Sequence, residues 1–348
     1  MKRRQKTRLT IKLFLLIFLI SIPLTLTAAE GEKTVNYETG FYYTVQKGDT
    51  LWDLSQKFSD TPWQWPELWK ENSQIANPHR IYPGERIRLY RRRGAQGLGD
   101  DSGGKKKASD EDFGDINKMI HYHFAAIERV GFIRKDPVPP HGTIFKVEGQ
   151  KAMISTGDLV YVEPADGVEL KPGSRYTIYR TLKPIKNRQT KKYIGIQHYL
   201  SGVLEITLKR PKFVLARIIA SYRPIKVGDL LMPFERRLPR ISVQQSPEGL
   251  RGQIIESEEH TAMFGEHAIA FINKGKQEGV VPGQLYWIYK QDQVRINPDD
   301  KYDVSLTPVL LGELMVLHIE NTTATVIITD SRQAIHAGAK IAAPFKVD

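Results

Sequence analysis

The sequence predicts a multidomain protein: a small α+β module of order βααβ, followed by a mainly-β region of two tandem repeats, each a small antiparallel barrel or sandwich. Three observations predict this. Residues 42–90 pass from alternating to helical period and back within one short stretch. Beyond residue 136 the chain runs in short β-branched or aromatic segments bounded by Gly, Pro, Asp and Lys. Those segments recur at a constant offset of 110 residues.

At 348 residues, 41% apolar and 26% charged, the chain is long enough to bury more than one core. Its start has a different character. Lys2, Arg3, Arg4, Lys6, Arg8 and Lys12 stand without any acid, followed by the apolar run from Leu13 to Ile20 and the small residues Thr27, Ala28 and Ala29. Residues 1–29 therefore read as a secretory signal peptide, with cleavage expected near Ala29. Left uncleaved, this segment is the one expected route to membrane contact, although its apolar run is shorter than the roughly 20 residues that span a bilayer. Six charges of the formal +12 belong to it. The rest of the chain is only mildly basic and suggests no nucleic-acid partner. The chain has no cysteine, which excludes disulfides, a lipid-modified cysteine, a thiol nucleophile and thiolate metal sites. Periplasm or cell envelope is the expected address.

Within residues 42–90, Tyr43 and Val45 alternate into a Gly48-Asp49-Thr50 turn. Leu51, Leu54 and Phe58 then keep helical spacing, as do Trp65, Leu68 and Trp69. A loop over 77–84 leads to a last alternating run at Ile87 and Leu89. The residues Tyr43-Thr44-Val45, Lys47-Gly48-Asp49-Thr50-Leu51-Trp52, Glu71-Asn72, Asn77-Pro78 and Ile81-Tyr82-Pro83-Gly84 occur in order and with familiar spacing. In these the stretch resembles the LysM family, βααβ modules that bind the N-acetylglucosamine-containing glycan of peptidoglycan or chitin. The resemblance covers about a seventh of the chain.

It implies a shallow groove between two loops. Gly48, Asp49, Thr50 and Leu51 form one side, and Ile75, Ala76, Asn77, Pro78, His79, Arg80, Ile81 and Tyr82 the other. Asp49 or Thr50 also suits a helix cap. Leu51, Trp52, Leu54, Phe58, Leu68 and Ile87 are expected in the core, so Leu51 stands in both sets. Four of the five tryptophans fall here, as a tiny module needs large side chains to bury enough area. These aromatics are expected mostly in the core, with Trp63, between the helices, the candidate for exposure and for stacking on sugar.

Residues 91–111 lack hydrophobic period and read as a flexible linker spanning about 25 Å as a random coil, which predicts a module that searches for glycan independently. Residues 112–136 suggest a short amphipathic helix passing into an extended segment. The two β repeats are expected over 137–235 and 247–346. Across them Gly142, Ile144, Tyr176, Ile178, Leu204 and Ile218 meet Gly252, Ile254, Tyr286, Ile288, Leu314 and Ile328.

No catalytic constellation emerges. His121-Tyr122-His123 has the spacing of a zinc pair but lacks the preceding His and Asp partners, and Glu128 and Glu205 are lone carboxylates. No cofactor, metal site or catalytic residue is expected. The sequence thus points to a non-catalytic envelope protein that binds peptidoglycan and offers its β repeats to an envelope protein or the wall. The alternatives are an assembly component of a secretion, pilus or flagellar machine, and a wall-remodelling enzyme or its regulator.

Overall fold

The computed structural model describes residues 38–59, 61–89, 120–149, 151, 153–188, 190–295 and 303–344. The expected signal peptide, the linker and the first part of the 112–136 segment lie outside the described residues.

Strand β1 (Gly40–Thr44), helices α1 (Leu51–Phe58) and α2 (Trp65–Lys70) and strand β2 (Arg86–Arg88) build the βααβ module. Leu51, Leu54 and Leu68 close its core with Tyr43, Val45, Ile75 and Ile87. Buried Asn72 ties the end of α2 to β2. Its side chain accepts the Arg88 N–H at 2.6 Å and donates to the carbonyls of Leu68 (2.7 Å) and Arg88 (3.0 Å).

The next described segment departs from expectation. Where the period suggested a helix, residues 120–134 form strand β3 (Ile120–His123), a 3-10 turn (Ile127–Arg129) and strand β4 (Phe132–Arg134). β3 pairs antiparallel with β1, setting Tyr43 opposite Ile120 and Phe41 opposite Tyr122. Strand β1 offers an open row of backbone donors and acceptors, and pairing with it outweighs a weak local helical preference. β3 also buries His121, stacked on Tyr42 at 5.8 Å, so this histidine belongs to a packed strand.

Strands β5 (Gly142–Val147), β6 (Leu159–Pro164), β7 (Arg175–Thr181), β8 (Ile185–Lys186), β9 (Tyr193–Lys209), β10 (Val214–Ser221) and β11 (Leu230–Pro233) form the first β unit. Because β10 pairs with both β6 and β9, six of them close in the order β5-β6-β10-β9-β7-β11. β4 adds to the edge of β9, so this unit begins before residue 137.

After β12 (Arg240–Ser242) come β13 (Arg251–Ser257), β14 (Ile269–Ile272), β15 (Leu285–Lys290), β16 (Gln293–Val294), β17 (Val304–Ser305), β18 (Val309–Ile319), β19 (Ala324–Ser331) and β20 (Lys340–Ala342). Six of these close into the barrel β13-β14-β19-β18-β15-β20, and β16 pairs with β17 as a hairpin.

The two closed cycles have the same strand order at the same offset. β10 and β19 coincide end to end at 110 residues, and so do the bridges Ile154–Ile225 and Phe264–Ile335. Core residues Ile144, Ile178, Leu204, Ile218 and Ile225 recur as Ile254, Ile288, Leu314, Ile328 and Ile335, all buried. Gly202 and Gly312 occupy equivalent places where a Cβ would lie 2.3 Å from the Ala220 carbonyl oxygen and 2.1 Å from that of Asp330. Only glycine admits so close a backbone approach.

The βααβ module is not independent of this block. β12 pairs with β3, extending the small sheet to β2-β1-β3-β12. Tyr122, Phe124, Ile127 and Ile241 pack with Met315, Leu317 and Ile327 on the outside of the second barrel, and Phe41 joins them. Residues 120–134 thus strap three parts together: β3 in the module's sheet, β4 in the first unit, and both against the second barrel. The independent search expected from the linker gives way to a fixed mount, because the strap buries apolar area that a free module would leave in water.

The two β units also meet directly. Buried Glu258 accepts from Arg223 (2.6 Å) and from the Gly131 N–H (2.7 Å). Arg134 pairs with Glu320 through two 3.0 Å bonds, and Arg188 with Glu256 at 2.9 Å. Phe132 stacks on buried His198 at 4.6 Å and leans on His318 at 5.4 Å. Burial holds the His198 imidazole neutral, its pKa down at about 4, and Nε2 accepts the Val138 N–H at 2.9 Å.

Candidate functional site

The site expected from the sequence has two walls. The first is the turn before α1. Gly48 takes φ +96°, open to glycine and strained for other residues, with empty space where a side chain would stand. Asp49 Oδ2 accepts the Gln46 N–H at 2.7 Å and the Tyr43 hydroxyl at 2.8 Å, bracing the turn from inside. Burial, with this bond to Asp49, raises the Tyr43 phenol. Thr50 caps α1, accepting the Asp53 N–H at 3.1 Å and donating to the Asp53 carboxylate at 2.7 Å. These side chains are largely committed to holding the loop. What the wall presents outward is backbone: the exposed Gly48 and the first-turn N–H groups of α1, which no helix can bond internally.

The second wall is the loop after α2. Asn77 Oδ1 accepts the His79 N–H at 2.9 Å and the Asn77 carbonyl accepts the Arg80 N–H at 3.0 Å, a tight Asx-type turn. Ala76, Asn77, His79 and Arg80 are exposed, while Pro78 and Ile81 are half-buried. Tyr82 is 58% exposed and its N–H is held by Glu85 at 3.0 Å. Leu51 and Ile75 lie behind the walls, buried in one shared core, and this contact keeps the loops together. Both side chains are therefore core, as expected for Leu51 but not for Ile75. The Ile75 carbonyl is itself occupied by the Trp69 indole N–H at 2.7 Å. The base of the groove is closed by Val45 and the Gly84-Glu85 turn, whose backbones exchange two 2.9 Å bonds.

Trp52 departs from its expected place in the core. It is 39% exposed and meets Trp63, 75% exposed, edge to face at 4.9 Å. Helical period carries the signal that corrects it. With Leu51 and Leu54 turned inward at i and i+3, Trp52 lies about 100° off the buried face. Trp63, the candidate for exposure, is exposed. The pair forms an aromatic surface of the kind that sugar rings stack on. Trp65, half-buried, stands 6.0 Å from the His79 ring.

Residues 43–89 match the LysM domain family. This chain is also 40% identical over 57 residues to the uncharacterized protein YqbP of Bacillus subtilis (strain 168), a match spanning 14% of this chain and 26% of that protein. Residues 43–89 are a LysM domain. LysM is a glycan-binding, non-catalytic module, typical of exported or wall-associated proteins. The walls fit that chemistry: a shallow, backbone-lined groove flanked by aromatic side chains, suited to neutral N-acetyl and hydroxyl groups.

Outside the LysM domain the lone acids are structural. Glu205 pairs with Arg175 at 2.9 Å and Glu128 accepts the Tyr222 hydroxyl at 3.0 Å. Among the described residues, no group of three or more His, Asp or Glu is placed to hold a metal ion, and no helix is long and apolar enough to cross a membrane.

Proposed function

We propose that this chain is an exported, non-catalytic peptidoglycan-binding protein, held on the N-acetylglucosamine-containing glycan by its LysM domain, with the β block as a rigid platform turned toward other envelope components. One observation carries the proposal: the two LysM walls are braced from inside, so Gly48, Ala76, Asn77, His79, Arg80 and Tyr82 are left outward on a preformed groove. Preformed loops lose little entropy on binding. The Trp52–Trp63 surface extends the apolar contact available to a glycan chain.

The test is co-sedimentation of the purified protein with isolated sacculi, beside Asn77→Ala/Tyr82→Ala and Trp63→Ala variants. Point variants replace deletion of the module, because removing β1 and Phe41 strips the strap of its partner. Retention of the unaltered protein and release of the double variant, with unchanged thermal unfolding, support the groove. An unaltered protein that stays in the supernatant rejects wall binding. Equal release of muropeptides and protein from the sacculi points instead to a remodelling enzyme.

A duplication of one ancestral β unit accounts for the shared offset and strand order. An assembly role as a second reading is favoured by the exposed aromatic face on the first unit, a surface suited to contact with protein.

A further inference from the structure

The 110-residue offset relates not only the strands of the two units but their outer faces, and there the equivalence breaks in an informative way. In the second unit, Ile255, Phe271, Thr323 and Thr325 form an outward-facing patch on β13, β14, β19 and the residue before β19, and all four are buried. They are covered by the strap and by the β8–β9 hairpin of the first unit. Ile133, Ile185 and Ile194 pack on Ile255 and Phe271, while Thr323 and Thr325 donate to the carbonyls of Ile133 (2.7 Å) and Gly131 (2.8 Å).

The equivalent residues of the first unit are Phe145, Tyr161, Phe213 and Leu215. They are less covered: Tyr161, Phe213 and Leu215 are half-buried and Phe145 is exposed. Phe145 is 43% exposed and sits on the same β-bulge as Ile255. The three aromatics form one cluster, with ring separations of 6.1, 6.4 and 5.6 Å. Beside them Leu208 is exposed, at the position that His318 takes in the second unit. The two threonines that donate to the strap are replaced by Phe and Leu where no strap is present, so the open face has become apolar.

The opposite side of the block shows the complement. The β16–β17 hairpin is the second unit's counterpart of β8–β9, and among the described residues its two strands pair only with each other. Val304 and Leu306, equivalent to Ile194 and Ile196, are exposed, as is Val309, the counterpart of Tyr199. Tyr199 donates to Glu259 at 2.8 Å within the chain's own junction. Each end of the tandem thus carries one half of a contact whose other half it lacks.

Charge differs between the two hairpins. The first unit's hairpin region, 180–196, carries Arg180, Lys183, Lys186, Arg188, Lys191 and Lys192 without an acid; its Arg188 meets Glu256, while Glu258 and Glu259 pair with Arg223. The second unit's region, 290–306, carries Asp292, Asp299, Asp300 and Asp303 against Lys290, Arg295 and Lys301. The face awaiting it is mildly basic: Lys146 replaces Glu256 and Arg210 replaces Glu320, near Lys212, while Lys209 is paired with Glu169 at 2.6 Å and Glu148 keeps the acid of Glu258. With four acids against three bases the hairpin region is nearly neutral, so its exposed apolar side chains can meet the mildly basic aromatic face without like-charge repulsion.

We infer that the protein associates head to tail with further copies of itself, the β16–β17 hairpin of one copy seating on the Phe145–Tyr161–Phe213 face of the next. The contact is heterologous: it joins two different surfaces, leaves one of each free at the ends, and builds open chains rather than closed dimers. It does not depend on glycan binding.

The experiment is sedimentation velocity of the purified protein over a concentration series, with two surface variants. Phe145→Glu/Phe213→Glu places charges in the apolar face where the hairpin would seat, and Val304→Lys/Leu306→Lys places charges on the hairpin's apolar side chains. The unaltered protein is expected to grow past the dimer with concentration, and each variant alone to remain monomeric. The two variants mixed in equal amounts are expected to form a dimer and stop there, because only one matched pair of surfaces survives. Circular dichroism and thermal unfolding check that both variants fold. If either fails, Leu208→Glu or Val309→Lys replaces it. An unaltered protein that is monomeric throughout overturns the inference and leaves the face to a different partner. So does a mixture that remains monomeric, or a variant that still associates.

Discussion

Arg223→Ala is the sharpest probe of whether the two β units act as one platform. Arg223 is nearly buried, with Nη2 2.6 Å from Glu258 and 3.1 Å from Glu259. Nη1 donates to the carbonyls of Arg129 at 2.7 Å and Leu200 at 2.9 Å, and the guanidinium lies 4.2 Å from the Tyr199 ring centroid. Truncation leaves the Glu258 carboxylate without its cation and two carbonyls without their donor. Breaking a buried pair from one side costs about 3–5 kcal/mol. Burial pushes the Glu258 carboxyl above its usual range, against the opposing pull of Arg223 and the Gly131 amide. In the variant that carboxyl protonates more readily, so the loss shrinks as pH falls. Adding Glu258→Gln removes the orphaned charge, and the double variant is expected to be more stable than Arg223→Ala alone. Urea unfolding followed by tryptophan fluorescence and by circular dichroism reads both effects, with the two transitions separating as the units uncouple. A loss below about 1 kcal/mol, typical of an exposed ion pair, with transitions still coincident, would refute the claim that this pair locks the junction.

Other perturbations test separate parts of the structure. His198 is held neutral with a pKa of about 4 against about 6.5 when unfolded, so the unfolded chain binds the extra proton in that window. Stability is then expected to fall by up to about 3 kcal/mol as pH drops from about 6.5 to about 4, with Arg134 nearby disfavouring the charged imidazole and Glu320 favouring it. Urea midpoints of the unaltered protein and His198→Gln across that range check it, and equal pH slopes would exclude His198 as the cause. Asn72→Ala strands the Arg88 N–H inside the LysM domain and is expected to cost about 2–3 kcal/mol, read by chemical denaturation. Trp63→Ala, at an exposed site, is expected to change stability by less than about 0.5 kcal/mol while weakening retention on sacculi. Unchanged retention removes Trp63 from the glycan site. Gly312→Ala forces a Cβ against the Asp330 carbonyl, and the barrel is expected to melt earlier than with a neutral surface substitution.

Legibility in the sequence followed how local the determining physics was. The LysM domain was readable because its signals sit a few residues apart: Thr50 before Leu51, Leu54 three residues on, Asn77-Pro78 opening a turn. The barrels were readable because duplicated spacing exposes core positions such as Ile144 and Ile254 twice. The strap was not. Ile120, Tyr122 and Phe124 alternate as a strand does, yet the strand exists only because β1, some eighty residues earlier, lends it an edge. Nor does sequence alone separate Phe145 from Ile255. Both are apolar residues on a bulged strand, and only the packing of Ile133 and Ile185 over one of them makes the first a surface and the second a core residue. Pairwise contacts between distant segments decide such cases, and a single chain's local pattern carries no record of them.

The strap changes what the LysM domain contributes energetically. On a free tether, each glycan contact would pay separately for the freedom the module loses, and neighbouring modules would gain only the effective concentration their linkers allow. Docked through Phe41 and Tyr122 on the second barrel, the groove keeps a fixed orientation relative to the Phe145 face and the β16–β17 hairpin. Copies joined through those two surfaces would then present their grooves at a constant spacing and angle. Modest single-site affinity becomes strong retention only if that spacing matches the glycan. A groove fixed to the block makes the match a property of the fold, so the head and tail variants should lower retention on sacculi even though neither touches a LysM residue.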